Sequence, residues 1–503
     1  MWYDSSIIRY RLLYSMERFF SHFKKYNILL TLLLLVFIFK GLFFASIFPI
    51  FQGPDEQIHY ATVQYFAEPK NKTWEIINFQ KYTIDQEDIS TFHFSEELIK
   101  TAIRTQFDEI KHHRTNSLLF TDDIKGVNEN EIITNSWKRY NDVYPPTVSG
   151  DAKLYYFATS LIERSLSHTS IFTRFFSIRI FSVILGALIV LLAYFTARKI
   201  GFSEKVSLLL SAIISFHPMF SFMSAIINPD ILLIFSFTLF LFGAVSLLRD
   251  QLSWKNVSII IIATLIAFFA KGPGVLLIPF AYFVLFVTLT SKFHLGIKKS
   301  SVLFAILSLF LGGVLYFSVP KEFIAGITHA GSISQFSSQK ESLLAYIDKT
   351  ISQRTLIDTE KSYWGNFGWL DAELPTNVIE KISLGELLIF IGTIFLLLTP
   401  WGGTLAPKKR FVFLFVVLIV ALQVGIRFYD WRVFDATEKI YIGTPGRYFL
   451  PNIVPHFLLL AVGLATFARK EYILNFLLKT VLIFMIGLNF YATFTVIIPR
   501  YYL

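Results

Sequence analysis

Residues 27–60 read NILLTLLLLVFIFKGLFFASIFPIFQGPDEQIHY. From Asn27 to Ile50 the run is apolar except for Lys40. A helix that crosses a bilayer needs about 20 such residues. The run passes without a linker into Gly53-Pro54-Asp55-Glu56-Gln57-Ile58-His59. Pro54 suits the first turn of a helix, and Asp55 and Glu56 suit its positive N-terminal end. His59 follows Asp55 by four residues, so the two should share a helix face. A carboxylate pair and an imidazole at a membrane boundary are fit for a general base, a metal ligand or a phosphate contact. A capped interfacial helix with solvated charges would use the same residues.

Upstream, residues 1–26 hold Arg9, Arg11, Arg18, Lys24 and Lys25 against Asp4 and Glu17. They form a basic segment with no small-residue cleavage site, and the first apolar run therefore reads as an anchor. Downstream, further apolar runs lie near 174–197, 206–226, 230–248, 256–270, 274–290, 301–319, 384–400, 411–427, 449–468 and 473–497. The expected fold is an all-α polytopic membrane protein of about 11 transmembrane helices. Lys271-Gly272-Pro273-Gly274 is the sole break between 256 and 290.

Composition agrees with that reading. Of the 503 residues 54% are hydrophobic and only 16% charged, unlike a soluble globule. There is no Cys, which excludes disulfides, a thiolate nucleophile and a Cys-based zinc site. The net charge of +10 is a membrane signature and not a nucleic-acid one. With the N-terminus inside, the short inner loops carry Arg198, Lys199 and Lys205; Arg249 and Lys255; Lys292, Lys298 and Lys299; Lys408, Lys409 and Arg410; and Arg469 and Lys470. All are basic, as the positive-inside rule requires, and the C-terminus then falls outside.

Two long segments also fall outside. Residues 51–153 hold 17 acidic against 11 basic residues, and residues 320–383 mix polar and aromatic ones. Glu96-Glu97-Leu98-Ile99-Lys100-Thr101-Ala102-Ile103 has helical periodicity and is expected at the membrane surface. The resulting division is 1–26, a basic cytoplasmic segment; 27–50, the first transmembrane helix; 51–153, the large outer loop; 154–319, helices 2–7; 320–383, the second outer loop; and 384–503, helices 8–11.

A second outer-face motif is Gly443-Thr444-Pro445-Gly446-Arg447-Tyr448-Phe449-Leu450-Pro451. Arg447 opens an apolar helix, where a guanidinium is costly unless it faces a cavity or an anion. Arginine suits bidentate phosphate contact. Lys271, at an outer turn, could meet a phosphate or simply snorkel. Asp230 starts a span and reads first as a helix cap. Tyr363, Trp364 and Trp369 read first as interfacial anchors. His112-His113 reads as a solvated face. No P-loop or dinucleotide fingerprint is visible.

Several motifs together resemble the polytopic membrane glycosyltransferases of GT-C fold, and more closely the bacterial domain-of-unknown-function family 2142. They are Pro54-Asp55-Glu56 with His59; Tyr144-Pro145-Pro146; His217-Pro218-Met219-Phe220 followed by Asn228-Pro229-Asp230; Trp364-Gly365-Asn366-Phe367-Gly368-Trp369-Leu370-Asp371; and Gly446-Arg447-Tyr448-Phe449-Leu450-Pro451. The resemblance implies a GT-C-like helical bundle in a bacterial cytoplasmic membrane. It implies a transferase that takes a sugar from a polyprenyl-phosphate donor at the outer face and gives it to a glycan or lipid-linked acceptor. Asp55, with Glu56 beside it, matches the catalytic acid of the first outer loop; in some such enzymes that residue holds a divalent ion such as Mg or Mn. Arg447, His59 and Lys271 become the expected donor-phosphate contacts. Tyr448, Trp369, Asp371 and Asp230 become expected substrate contacts. A lipid-linked glycan transporter or flippase, and an outer-face ligase or polymerase, stand as the alternative readings.

Overall fold

The opening stretch folds as helix α1, Ile28–Ile47, in a computed structural model of the chain. The structure describes residues 28–67, 95–119, 153–250, 252–293, 333–350, 353–398, 405–437, 445–468 and 470–503, with 123–124, 127–128, 296, 299 and 302. The expected basic segment 1–26, the run 301–319, Tyr144-Pro145-Pro146 and much of both outer loops lie outside the described residues.

After α1 the chain turns sharply. Phe51 and Asp55 both hold a left-handed backbone, with φ of 69° and 55°. Asp tolerates that conformation better than most residues. Helix α2, Glu56–Ala67, then begins two residues after Pro54, which the motif placed in its first turn. Pro54 and Asp55 precede the helix, and the Asp55 carbonyl accepts from the His59 amide at 2.9 Å.

The segment after α2 holds α3, Glu96–Arg104, and α4, Phe107–His112. The apolar face of α3, with Leu98, Ile99, Ala102 and Ile103, is buried in the protein core and does not lie against a membrane surface. Helices α5, Leu154–Ser165, and α6, Ile171–Ile200, follow. Then come α7, Glu204–Ser215; α8, Pro218–Met223; α9, Asp230–Asp250; and α10, Trp254–Ala270. A short 3-10 turn, Gly272–Leu276, leads into α11, Leu277–Lys292. The second half holds α12, Ile333–Thr350; α13, Gln353–Trp364; α14, Thr376–Leu398; and α15, Lys409–Thr437. The 3-10 segment Gly446–Asn452 opens α16, Ile453–Phe467. Finally α17, Glu471–Tyr491, passes through a wider π-type turn into α18, Ile498–Tyr502. Ser95, Ser170, Ser203 and Ser253 cap their helices by accepting the amide three residues on.

Eight described helices are long and apolar enough to cross a bilayer. That supports an all-α polytopic membrane protein; of the 11 expected spans, 301–319 lies outside the described residues. Trp254–Ala270 is apolar but shorter. The expected span 206–226 is not one helix. It stops at Ser215, and Pro218 starts α8. Proline has no amide hydrogen and holds His217 in an extended conformation. Partners reach the carbonyls freed by this break. Lys40 of α1 donates to the Ser215 carbonyl and, at 2.6 Å, to Ser221 Oγ. Asn489 donates to the Phe216 carbonyl at 3.2 Å. Backbone groups at membrane depth require such internal partners.

One large core runs through the bundle, with a small separate cluster of Tyr346, Trp431 and Phe434 between α12 and α15. Helix α6 packs on α1, α7 and α9; α9 packs on α10; and α16 packs on α14 and α15. Outward faces remain apolar, as at Leu384, Leu388 and Ile391 of α14. Two short hairpins depart from the helical pattern: Asp123–Ile124 (β1) with Val127–Asn128 (β2), and Asn366–Phe367 (β3) with Ala372–Glu373 (β4).

Candidate functional site

Four segments far apart in sequence meet at one end of the bundle. The α1–α2 turn brings Asp55 and His59. The start of α9 brings Asp230. The turn after α10 brings Lys271, and the 3-10 segment before α16 brings Arg447 and Tyr448. The charges of Asp55, Lys271, Asp230 and Arg447 all act on the His59 ring. Lys271 Nζ lies 2.6 Å from Asp230 Oδ1. It also lies 4.9 Å from the centre of the Tyr448 ring, and the Arg447 guanidinium carbon lies 5.2 Å from the same ring. The Tyr448 ring is thus within cation–π reach of both side chains, a favourable contact for each.

Exposure divides these groups. Asp55 is exposed, whereas His59 is buried. Burial is the main cause that pushes the His59 imidazole down to about 4; Asp55 and Asp230 oppose the shift, and Lys271 and Arg447 add to it. Arg447 is only 8% exposed, and its Nε is buried without a hydrogen-bond partner. Among the described residues no carboxylate pairs with it. Asp230 Oδ2 is likewise buried without a partner. A buried guanidinium is costly unless an anion meets it.

Asp230 does not act as the expected cap. Asn228 Oδ1 accepts the Asp230 amide at 2.8 Å, and the Asp230 carboxylate is turned to Lys271. That ion pair also replaces the simple snorkelling of Lys271. The two carboxylates of the first motif part company. Glu56 is fully buried, and Arg179 donates to both its oxygens, at 2.9 and 2.7 Å. The Ile227 and Gly53 amides complete its shell. Arg179 also donates to the Ala45, Phe48 and Pro49 carbonyls, so it ties the end of α1 to the start of α2.

Trp369 and Asp371 stand elsewhere. They sit at the turn between β3 and β4, where Trp369 Nε1 donates to the Phe51 carbonyl at 3.2 Å. Asp371 pairs with Arg500 of α18 at 2.5 Å. Arg500 in turn donates to the Asn116 and Ile110 carbonyls. These residues clamp the β3–β4 turn and the segment after α4 to α18, and among the described residues they make no hydrogen bond or ion pair with Asp55, His59, Asp230, Lys271 or Arg447. Trp364 and Tyr363 are not interfacial anchors. Trp364 is buried and stacks on His217, with ring centres 4.6 Å apart. Tyr363 bonds His456 Nδ1 at 2.7 Å, and His456 Nε2 lies 2.8 Å from Glu386 Oε1.

Some of these partners carry a signal in the sequence itself. Arg179, Arg174, Glu386 and His456 are ionisable groups inside apolar runs, which is itself a mark of function or fixed partnering. Arg174 bridges Glu97 and Glu163 at 2.5 Å each, joining α3, α5 and α6. Tyr156, whose hydroxyl lies 2.8 Å from His59 Nδ1, carried no such signal.

The donor set does not suit the divalent ion implied for Asp55. Glu56 is saturated by Arg179 and two amides, and Asp230 is held by Lys271. Among the described residues no three His, Asp or Glu side chains gather to hold a metal.

Comparison with known proteins adds the family. No curated protein matches the chain. The model of the family described as "Predicted membrane protein (DUF2142)" matches residues 37–456, a range that holds every residue of the His59 cluster. With most of its length matched, the chain belongs to the DUF2142 family of predicted membrane proteins.

Proposed function

We propose that the protein is a membrane glycosyltransferase of GT-C type that uses a polyprenyl-phosphate sugar at the outer face of a bacterial cytoplasmic membrane. The observation that carries this reading is Arg447. It is a buried guanidinium with no carboxylate partner among the described residues, and it shares a site with an exposed carboxylate, Asp55. Arginine and Lys271 suit the phosphate of the donor, and Tyr448 shields both. The acceptor is a hydroxyl of a cell-envelope glycan or lipid.

Asp55 takes the proton of the acceptor hydroxyl, whose oxygen attacks the anomeric carbon. The bond from that carbon to the phosphate oxygen breaks. Its electron pair leaves with the lipid phosphate, toward Arg447 and Lys271, and the anomeric carbon inverts. The transition state has oxocarbenium character. Fixed cations at the leaving group act strongly where water is scarce. Glu56 serves this reading as an anchor, since both its oxygens are engaged.

The position of the cluster supports chemistry over transport. Its residues sit at helix ends and in turns, whereas transporter sites gather near the midplane between broken helices. The test is transfer by purified protein in lipid, with polyprenyl-phosphate hexoses as donors and cell-envelope glycan as acceptor. Asp55→Asn should lower the rate 10²-fold or more. Arg447→Ala should weaken donor use at least 10-fold. Wild-type transfer by both variants would sink the reading.

A further inference from the structure

The two ring nitrogens of His59 have different surroundings. Nδ1 lies 2.8 Å from the hydroxyl of Tyr156, and the rings lie nearly parallel, 26° apart. Nε2 has no hydrogen-bond partner among the described residues. Both side chains are buried, and α2 and α5, which carry them, pack along each other. The hydrogen bond admits two arrangements. The phenol donates to a bare Nδ1 and the proton sits on Nε2, or Nδ1–H donates to the phenol oxygen and Nε2 is a base. Phenol is the far stronger acid of the two neutral donors, and imidazole nitrogen is a far better acceptor than phenol oxygen. The first arrangement is therefore preferred.

The charged groups that face the ring come from four elements. Asp55 precedes α2, Asp230 begins α9, Lys271 follows α10, and Arg447 precedes α16. Two are anionic and two cationic, so their fields largely oppose one another. What remains is burial, which disfavours the imidazolium.

We infer that Tyr156 is a positioning residue that holds His59 as a neutral imidazole protonated on Nε2, and that this Nε2–H donates to an oxygen of the anion bound beside Arg447. His59 is then neither the acid nor the base of the site. It supplies a directional donor, while Arg447 and Lys271 supply charge. A neutral donor adds no cation to a site that already holds two, and it cannot compete with Asp55 for the acceptor proton. The assignment of the anion rests on the phosphate reading above; the tautomer does not.

The test uses the full chain in lipid nanodiscs with ¹⁵N-labelled histidine. His59 is assigned by the signal lost in His59→Gln, or by the signal that moves in Tyr156→Phe if that variant alone folds. The expected spectrum is a neutral ring with Nε2 protonated, still neutral at pH 6. In Tyr156→Phe the ring should become a mixture of tautomers. Farnesyl phosphate serves as the probe of the anion. It should shift the His59 Nε2 signal in the wild type and bind about 10-fold more weakly to Tyr156→Phe. A ring protonated on Nδ1, or an imidazolium at pH 6, overturns the inference. So does a Tyr156→Phe variant with unchanged tautomer and unchanged affinity. If Arg447→Ala leaves farnesyl phosphate affinity unchanged, the phosphate reading fails while the tautomer result stands.

Discussion

Asp55 and Glu56 are adjacent, carry the same charge and have opposite uses. Asp55 holds a left-handed backbone just ahead of the helix that Glu56 begins. Glu56 is sealed against Arg179; Asp55 is left exposed. The difference is measurable. Glu56→Ala strands a buried guanidinium, a loss of about 3–5 kcal/mol when one member of such a pair is removed. Asp55→Asn keeps a residue that tolerates the left-handed conformation and removes no bond, so stability should change by less than about 0.5 kcal/mol. Thermal unfolding in detergent separates them, and equal losses would contradict the division. The pair itself was legible in the sequence, as were Arg447 and Lys271, because charge at a membrane boundary is conspicuous. Which carboxylate was committed was not legible. It depends on Arg179, 123 residues away along the chain.

The elements show where local reading holds and where it stops. Long apolar runs became helices because backbone groups in lipid must bond within their own segment. The run 206–226 breaks between Ser215 and Pro218, which has no amide hydrogen, and Lys40 and Asn489 supply partners for the carbonyls that the break frees. The periodicity of α3 was visible, but what covers its apolar face was decided by Glu97 reaching Arg174. In the sequence the α13 region shows only Tyr363 and Trp364 as aromatic anchors. It is the wall on which the arginine motif rests. A Cβ at Gly446 would lie 2.0 Å from the Thr359 carbonyl oxygen, so only glycine fits there, and the Gly446 amide donates to Ser362 Oγ at 2.5 Å. The same helix carries Glu360, which burial, and then the Glu386 carboxylate, push up to about 7. Its folded value lies above the unfolded one. The stability it contributes is therefore full below the ordinary carboxyl range and is lost as pH rises through 7. Glu360→Gln removes that ionisation. At pH 8 the variant should be more stable than the wild type, by on the order of 1 kcal/mol after solvent screening, and at pH 5 the two should nearly coincide. Melting curves at both pH values decide this, and a variant less stable at pH 8 would refute the assignment.

At the scale of the molecule, the path of the chain places the site relative to the basic loops. Helices α6 and α9 end together: Arg249 donates to the Arg198 and Lys199 carbonyls, and Lys199 pairs with Asp250. Helix α10 starts just beyond, at Trp254, and returns along α9 until Lys271 meets Asp230. The basic end and the Asp230–Lys271 end are therefore opposite ends of the same helix pair. If basic loops lie inside, the site opens outside. The absence of Cys makes this directly testable, because one introduced cysteine is the only thiol in the chain. Thr115 is exposed in the segment after α4 that Arg500 fastens to the bundle, and Lys255 is exposed at the start of α10. In intact cells, a membrane-impermeant maleimide should label Thr115→Cys and leave Lys255→Cys unlabelled until the cells are lysed. The opposite pattern would turn the molecule over in the membrane. It would put Asp55, Lys271 and Arg447 on the cytoplasmic side, where an outer-face acceptor could not reach them.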